Sequence, residues 1–173
     1  VGDINIDEVE SYIIEYFASI PKSVNPRTRV IEPVPDHTET LVSIESDKEL
    51  SNSSVTLYIK SELEPVITIQ DYKRDLTKSL FYSMFNNRLQ ELTKKDNSPF
   101  LYAITFSYPM VRSKNLLMTT AAVKDNEILS GFEAIAIEKE RIDRFGFTNT
   151  ELERAKIQFS KSSEKRLKEI DKQ

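Results

Sequence analysis

The stretch from Asp71 to Phe106, DYKRDLTKSLFYSMFNNRLQELTKKDNSPFLYAITF, leaves the chain few folds to choose from. Tyr72, Leu76, Leu80, Phe81, Met84, Phe85, Leu89 and Leu92 recur at three- and four-residue steps. On a helix of ~3.6 residues per turn they form one broad apolar face. Asp71 is placed to cap this helix, and Lys94 and Lys95 suit the negative end of its dipole. Asp96, Asn97, Ser98 and Pro99 stop it, because proline cannot continue the hydrogen-bond ladder. The period then changes to two. Phe100, Tyr102, Ile104, Phe106 and Tyr108 alternate with Leu101, Ala103, Thr105 and Ser107, as on a strand with one bulky face. A broad-faced helix followed directly by such a strand must lie on a sheet.

The 173 residues suit one domain, or one domain with a short appendage. The absence of cysteine excludes disulfides and thiolate metal sites. No apolar run approaches the ~20 residues that span a bilayer. With 24 basic against 28 acidic residues the formal charge is −4, so nothing draws the chain to phosphates and nucleic-acid binding is disfavoured. The chain begins without an initiator Met and without an export signal. It is expected to be a piece of a longer protein, incomplete at both ends, and its start identifies no compartment.

Along the chain, Val1-Gly2-Asp3 reads as the end of a strand. Asn5 is the expected cap of a first helix, with Glu8 as its capping-box partner, and Val9, Ile13, Tyr16, Phe17 and Ile20 form its apolar stripe. Residues 1–20 are read as a helix left over from a preceding domain. Residues 21–39, which hold Pro21, Pro26, Pro33 and Pro35, are read as a semi-rigid linker. Residues 40–173 then form the main domain. Thr40–Glu45 and Ser54–Lys60 are strand candidates joined by a polar turn, and Leu116–Val123 is a further strand. Asp125 or Asn126 is the expected cap of the next helix, and Gly146 its C-terminal stop. Thr148 and Glu151 form a capping box for the last helix, whose second half has little apolar surface. The order predicts an α+β fold, an antiparallel sheet with helices packed on one face. Missing chain at both ends implies one unpaired sheet edge. It also implies a first helix that covers its stripe on its own domain or on a neighbouring chain, including by non-native self-association.

Catalytic chemistry finds little footing. A catalytic zinc takes three protein ligands, mostly histidine, and His37 is the only imidazole. It lies in the proline-rich linker beside Asp36 and Glu39, as a surface histidine. No G-x-S-x-G elbow surrounds a serine, and Gly2, Gly131 and Gly146 are too scattered for a phosphate loop. The pairs Glu138/Glu140 and Glu151/Glu153 are two residues apart, so on a helix each pair points to different sides. The chain itself is expected to bind no metal or cofactor.

Three segments in order carry a resemblance. VGDINIDEVESYIIEYF is similar to a strand-end Gly-Asp followed by a helix closing on an aromatic. LFYSMFNNRLQEL with SPFLYA is similar to a helix ending in Arg-Leu and a Pro-Phe opening the next strand. GFTNTELERAK is similar to the entry of a late helix. Together they resemble the pitrilysin/insulinase family of zinc metallopeptidases, the inverzincins, in the inactive domain that follows the catalytic one. The resemblance implies a clamshell protease whose H-x-x-E-H motif and zinc belong to a catalytic domain before Val1. That domain, in the same polypeptide or a partner subunit, would be the chain's partner, and unfolded peptides its substrates. The implied work of this domain is to wall the chamber and help bind peptide. A zinc-free scaffold or binding subunit of the same fold is the alternative. Active members use an Arg and a Tyr to aid the scissile peptide, and Arg88 and Tyr102 fall in comparable places. Here LTKKDNSP lengthens the separation, and in four-domain members that pair comes from the last domain. Arg88 is therefore expected to be structural, paired with a carboxylate.

Overall fold

The structure is a computed structural model that describes residues 2–170. The chain divides into two compact units, residues 1–32 and 33–173. The first unit holds helix α1, Ile6–Phe17, capped by Asn5, whose side chain accepts from the N–H groups of Asp7 and Glu8. Glu8 does not close the capping box but accepts from the Tyr12 hydroxyl at 3.0 Å. No residue of α1 is buried. Of the strand end read at Val1–Asp3, Val1 lies outside the described residues, and Gly2 and Asp3 form no strand.

The second unit is built on a three-stranded antiparallel sheet. Its strands are β1 (Ser53–Glu62), β2 (Tyr102–Val111) and β3 (Lys114–Val123), in the order β1-β3-β2. Helices α2 (Ile69–Thr93), α3 (Ile128–Phe145) and α4 (Asn149–Ile170) complete it. Thr40–Glu45 forms no strand, a departure from the strand expected there. A strand needs a partner for its N–H and C=O groups, and this segment has none among the described residues.

Helix α2 starts three residues earlier than a cap at Asp71 implies. Thr68 is the cap, and Asp71 is the third helical residue of a capping box, accepting from the Thr68 N–H at 2.9 Å. Thr68 and Ile67 donate to that carboxylate, Thr68 foremost, and hold it at a pKa of about 2. The N-cap position of helix α3 is neither Asp125 nor Asn126 but Glu127, whose side chain makes no capping hydrogen bond. The Glu127 N–H donates to the Lys124 carbonyl at 3.1 Å, and Asn126 takes φ 65° in that turn, which pushes the helix start onward. Gly146 ends α3 with φ 64°, a value that favours glycine.

The helices lie on one side of the sheet. Phe85 and Leu89 of α2 and Ile135 and Ile142 of α3 pack with Phe100, Ala121 and Val123, and Val55 and Ala103 border them. Helix α3 runs so close to β3 that a Cβ at Gly131 would overlap the Val123 side chain. These contacts place Ala103, and by alternation Thr105 and Ser107, under the helices. The bulky row of β2 faces the other way. Tyr102 is 57% exposed, and Ile104 and Phe106 are exposed too. Phe100 escapes that parity because a bend at Leu101 precedes the strand, and it is only 2% exposed.

One end of the sheet's uncovered side carries the start of the second unit. The Lys114 ammonium, on a side chain only 6% exposed, binds the carboxylates of Asp36 (2.9 Å) and Glu62. Lys60 donates to the Pro35 carbonyl at 2.7 Å. These bonds pin Pro35 and Asp36 to the strands, and a buried ammonium is tolerable there because two carboxylates compensate it.

Candidate functional site

Arg88 is the candidate that the fold places most definitely. It lies in the last third of α2, one residue before the fully buried Leu89. Its guanidinium reaches out of the helix row toward α3 and α4. Nε and one terminal nitrogen donate to both carboxylate oxygens of Glu151, at 2.5 and 3.0 Å. The other terminal nitrogen donates to Glu138 at 3.2 Å, and the first also reaches the Gly146 carbonyl at 2.9 Å. The cation stands over the Phe147 ring, 4.8 Å from its centre. Glu138, 4% exposed at its side chain, takes a second cation from Arg141 at 3.1 Å. Glu151 also completes the capping box of α4, accepting from the Thr148 N–H at 2.7 Å and the Thr148 hydroxyl at 2.9 Å.

This geometry ties three helices through one fork of donors, the arrangement arginine suits better than lysine. It also sets the charges. The Arg88 hydrogen bond, and after it the bonds from Thr148, hold the Glu151 carboxyl at a pKa of about 2, against the opposing effect of burial. A carboxyl this acidic keeps no proton to donate at neutral pH. The sequence dismissed Glu138 and Glu151 as members of local pairs. Their partner lies 50 and 63 residues away, so no spacing rule could find them.

Because the Glu151 pKa falls on folding, its stabilisation is present above the ordinary carboxyl pKa near 4.5 and disappears as pH drops toward about 2. The full shift corresponds to about 3 kcal/mol. Urea unfolding of the chain between pH 5 and pH 2.5 should therefore show a steep loss of stability. Glu151→Gln should flatten that slope, being less stable than wild type at pH 7 and nearly equal to it at the acid end.

Tyr102 is not brought to Arg88. It begins β2 on the uncovered side of the sheet, whereas Arg88 engages α3 and α4 on the helical side. His37 is exposed, its Nδ1 2.7 Å from the Glu39 carbonyl oxygen. The resemblance implies zinc in a catalytic domain, and the donor set of this chain does not fit a zinc site of its own. Among the described residues no three His, Cys, Asp or Glu side chains come together to hold a metal, and the chain has one His and no Cys. No helix of the described residues is long and apolar enough to cross a membrane.

Residues 1–159 match the family described as the peptidase M16 inactive domain. The chain belongs to this family. It is 30% identical over 101 residues to a zinc protease PQQL-like protein of Arabidopsis thaliana, a match over 58% of the chain and 11% of that protein. The fold matches the periplasmic protease PqqL of Escherichia coli with a TM-score of 0.68 and 24% identity, over 90% of the chain and 17% of the protease. A structure of the first half of PqqL matches with a TM-score of 0.67 and 22% identity, over 91% of the chain and 34% of that structure. The chain thus spans a minor part of each relative, and the α+β fold of its M16 inactive domain matches the fold of a part of that protease.

Proposed function

We propose that this M16 inactive domain is a non-catalytic part of a zinc-dependent endopeptidase, walling its proteolytic chamber and helping to hold unfolded peptide. Zinc and the reacting groups then belong to a catalytic domain of the same polypeptide or of a partner subunit. The observation that carries the reading is the state of Arg88. Its guanidinium nitrogens are engaged by Glu138, Glu151 and Gly146, and Tyr102 stands on the other side of the sheet. A group so engaged cannot also stabilise the charge that develops on a scissile peptide. Arg88 is accordingly a structural tie, and neither residue acts in catalysis. The zinc protease relative supports the chemistry of the parent.

Peptide holding falls to the uncovered side of the sheet, where Tyr58, Tyr102, Ile104 and Phe106 expose aromatic and aliphatic surface. The test replaces Tyr58 and Phe106 with serine in the full-length protein. Both side chains are exposed, so folding should survive. The KM for unfolded casein should rise about tenfold while turnover of a short peptide stays constant. An unchanged KM for casein would remove the peptide-holding role. A full-length sequence without H-x-x-E-H before this domain would turn the reading to a zinc-free scaffold.

A further inference from the structure

We propose that Asn86 is an edge lock: its side-chain amide fills the middle of the free edge of β2 and keeps extended polypeptides from pairing there. A strand paired on one side only presents a row of N–H and C=O groups that can template another chain, and proteins commonly block such rows. The primary amide of asparagine carries one acceptor and a donor pair, the same groups as a peptide unit. Asn86 Oδ1 accepts from the Thr105 N–H at 2.7 Å, and Nδ2 donates to the Thr105 carbonyl at 2.9 Å. That is the double exchange made by two residues facing each other in an antiparallel ladder.

The lock is held firmly on both sides. Asn86 follows the buried Met84 and Phe85 and precedes the buried Leu89 on α2. Thr105 is buried, and its hydroxyl bonds Thr119 Oγ1 at 2.8 Å and the Met118 carbonyl at 3.2 Å. By alternation the outward groups of β2 belong to Ala103, Thr105 and Ser107, with Thr105 in the centre. An added strand would need both Thr105 groups and the space that Asn86 occupies. On the other edge strand, the outward groups belong to Ser54, Thr56, Tyr58 and Lys60. Among the described residues no side-chain amide stands in for a strand there. The two edges of the sheet therefore differ, and the difference does not depend on what the parent protein cleaves.

Amide hydrogen exchange on the 173-residue chain, resolved by residue, tests the lock. The Thr105 amide should exchange at least about tenfold more slowly than the outward amides of Ala103 and Ser107. In Asn86→Ala that protection should vanish while the Leu89 amide keeps its own. The weight-average mass of the variant in solution should rise above that of wild type at equal concentration, as freed edges pair. Equal exchange at Thr105, Ala103 and Ser107 in wild type would overturn the proposal, as would a variant with an unprotected Thr105 and an unchanged mass. Should Asn86→Ala fail to fold, Asn86→Ser decides. Serine is polar but too short to reach both Thr105 groups or to fill the space of the amide, so a raised mass supports the lock and an unchanged mass overturns it.

Discussion

Replacing Arg88 with alanine should lower the stability of the chain by about 3 kcal/mol, near the lower end of what breaking a buried ion pair costs. The loss has three sources. Glu138 stays buried with only Arg141, an exposed partner, to compensate its charge. Glu151 keeps its Thr148 bonds but loses the bidentate fork. The Gly146 carbonyl, at the joint between α3 and α4, loses a donor. Arg88→Lys should recover less than half of the loss, because one ammonium cannot reach all three acceptors in the planar arrangement. Urea unfolding gives the stability, and the rate per folded molecule of the full-length protein gives the role. A structural Arg88 predicts a lower midpoint with turnover nearly intact. A fall of orders of magnitude in turnover, with stability kept, would return Arg88 to the reaction.

Phe100→Ala should be at least as damaging, at roughly 3–5 kcal/mol, whereas Phe106→Ala should cost less than about 1 kcal/mol. The two phenylalanines belong to the same alternating row of the sequence, so the pair separates pattern from structure. Phe100 sits in the core with Leu89, Val123 and Ile135, held by the Leu101 N–H donating to the Ala122 carbonyl at 2.7 Å. Its removal leaves a cavity between the sheet and two helices that rigid elements cannot collapse to fill. Phe106 rests against Tyr108 on the uncovered side, with ring centres 5.6 Å apart. Thermal unfolding of both variants checks the contrast, and equal shifts would place β2 the other way round on the sheet.

Much of the fold was legible in the residue order because its causes are local. The three-and-four spacing from Tyr72 to Leu92, the Gly146 cap and the Thr148–Glu151 box are read from neighbouring residues, and each appears in the structure, whereas α2 ends at Thr93, ahead of the stop expected at Asp96–Pro99. Even the local errors had local reasons. Thr68 outcompeted Asp71 as a cap by sharing a box with it, and the turn at Asn126 delayed the start of α3. Thr40–Glu45 has the apolar residues of a strand but no paired neighbour among the described residues, and composition alone supplies no hydrogen bonds.

Partners distant in sequence were beyond reach. Nothing near Arg88 announces Glu138 and Glu151, nothing near Asn86 announces Thr105, and nothing near Lys114 announces Asp36 and Glu62. By itself the sequence determined the period of β2, and hence which of its side chains share a face. Only the tertiary structure decided which face meets the helices. Ala103, Thr105 and Ser107 turned inward, because a row of small residues lets α2 approach closely and Phe85, Leu89 and Phe100 fill the space from the other side. Period is a property of one strand, but the side that becomes interior depends on the volumes that two elements bring to the same place.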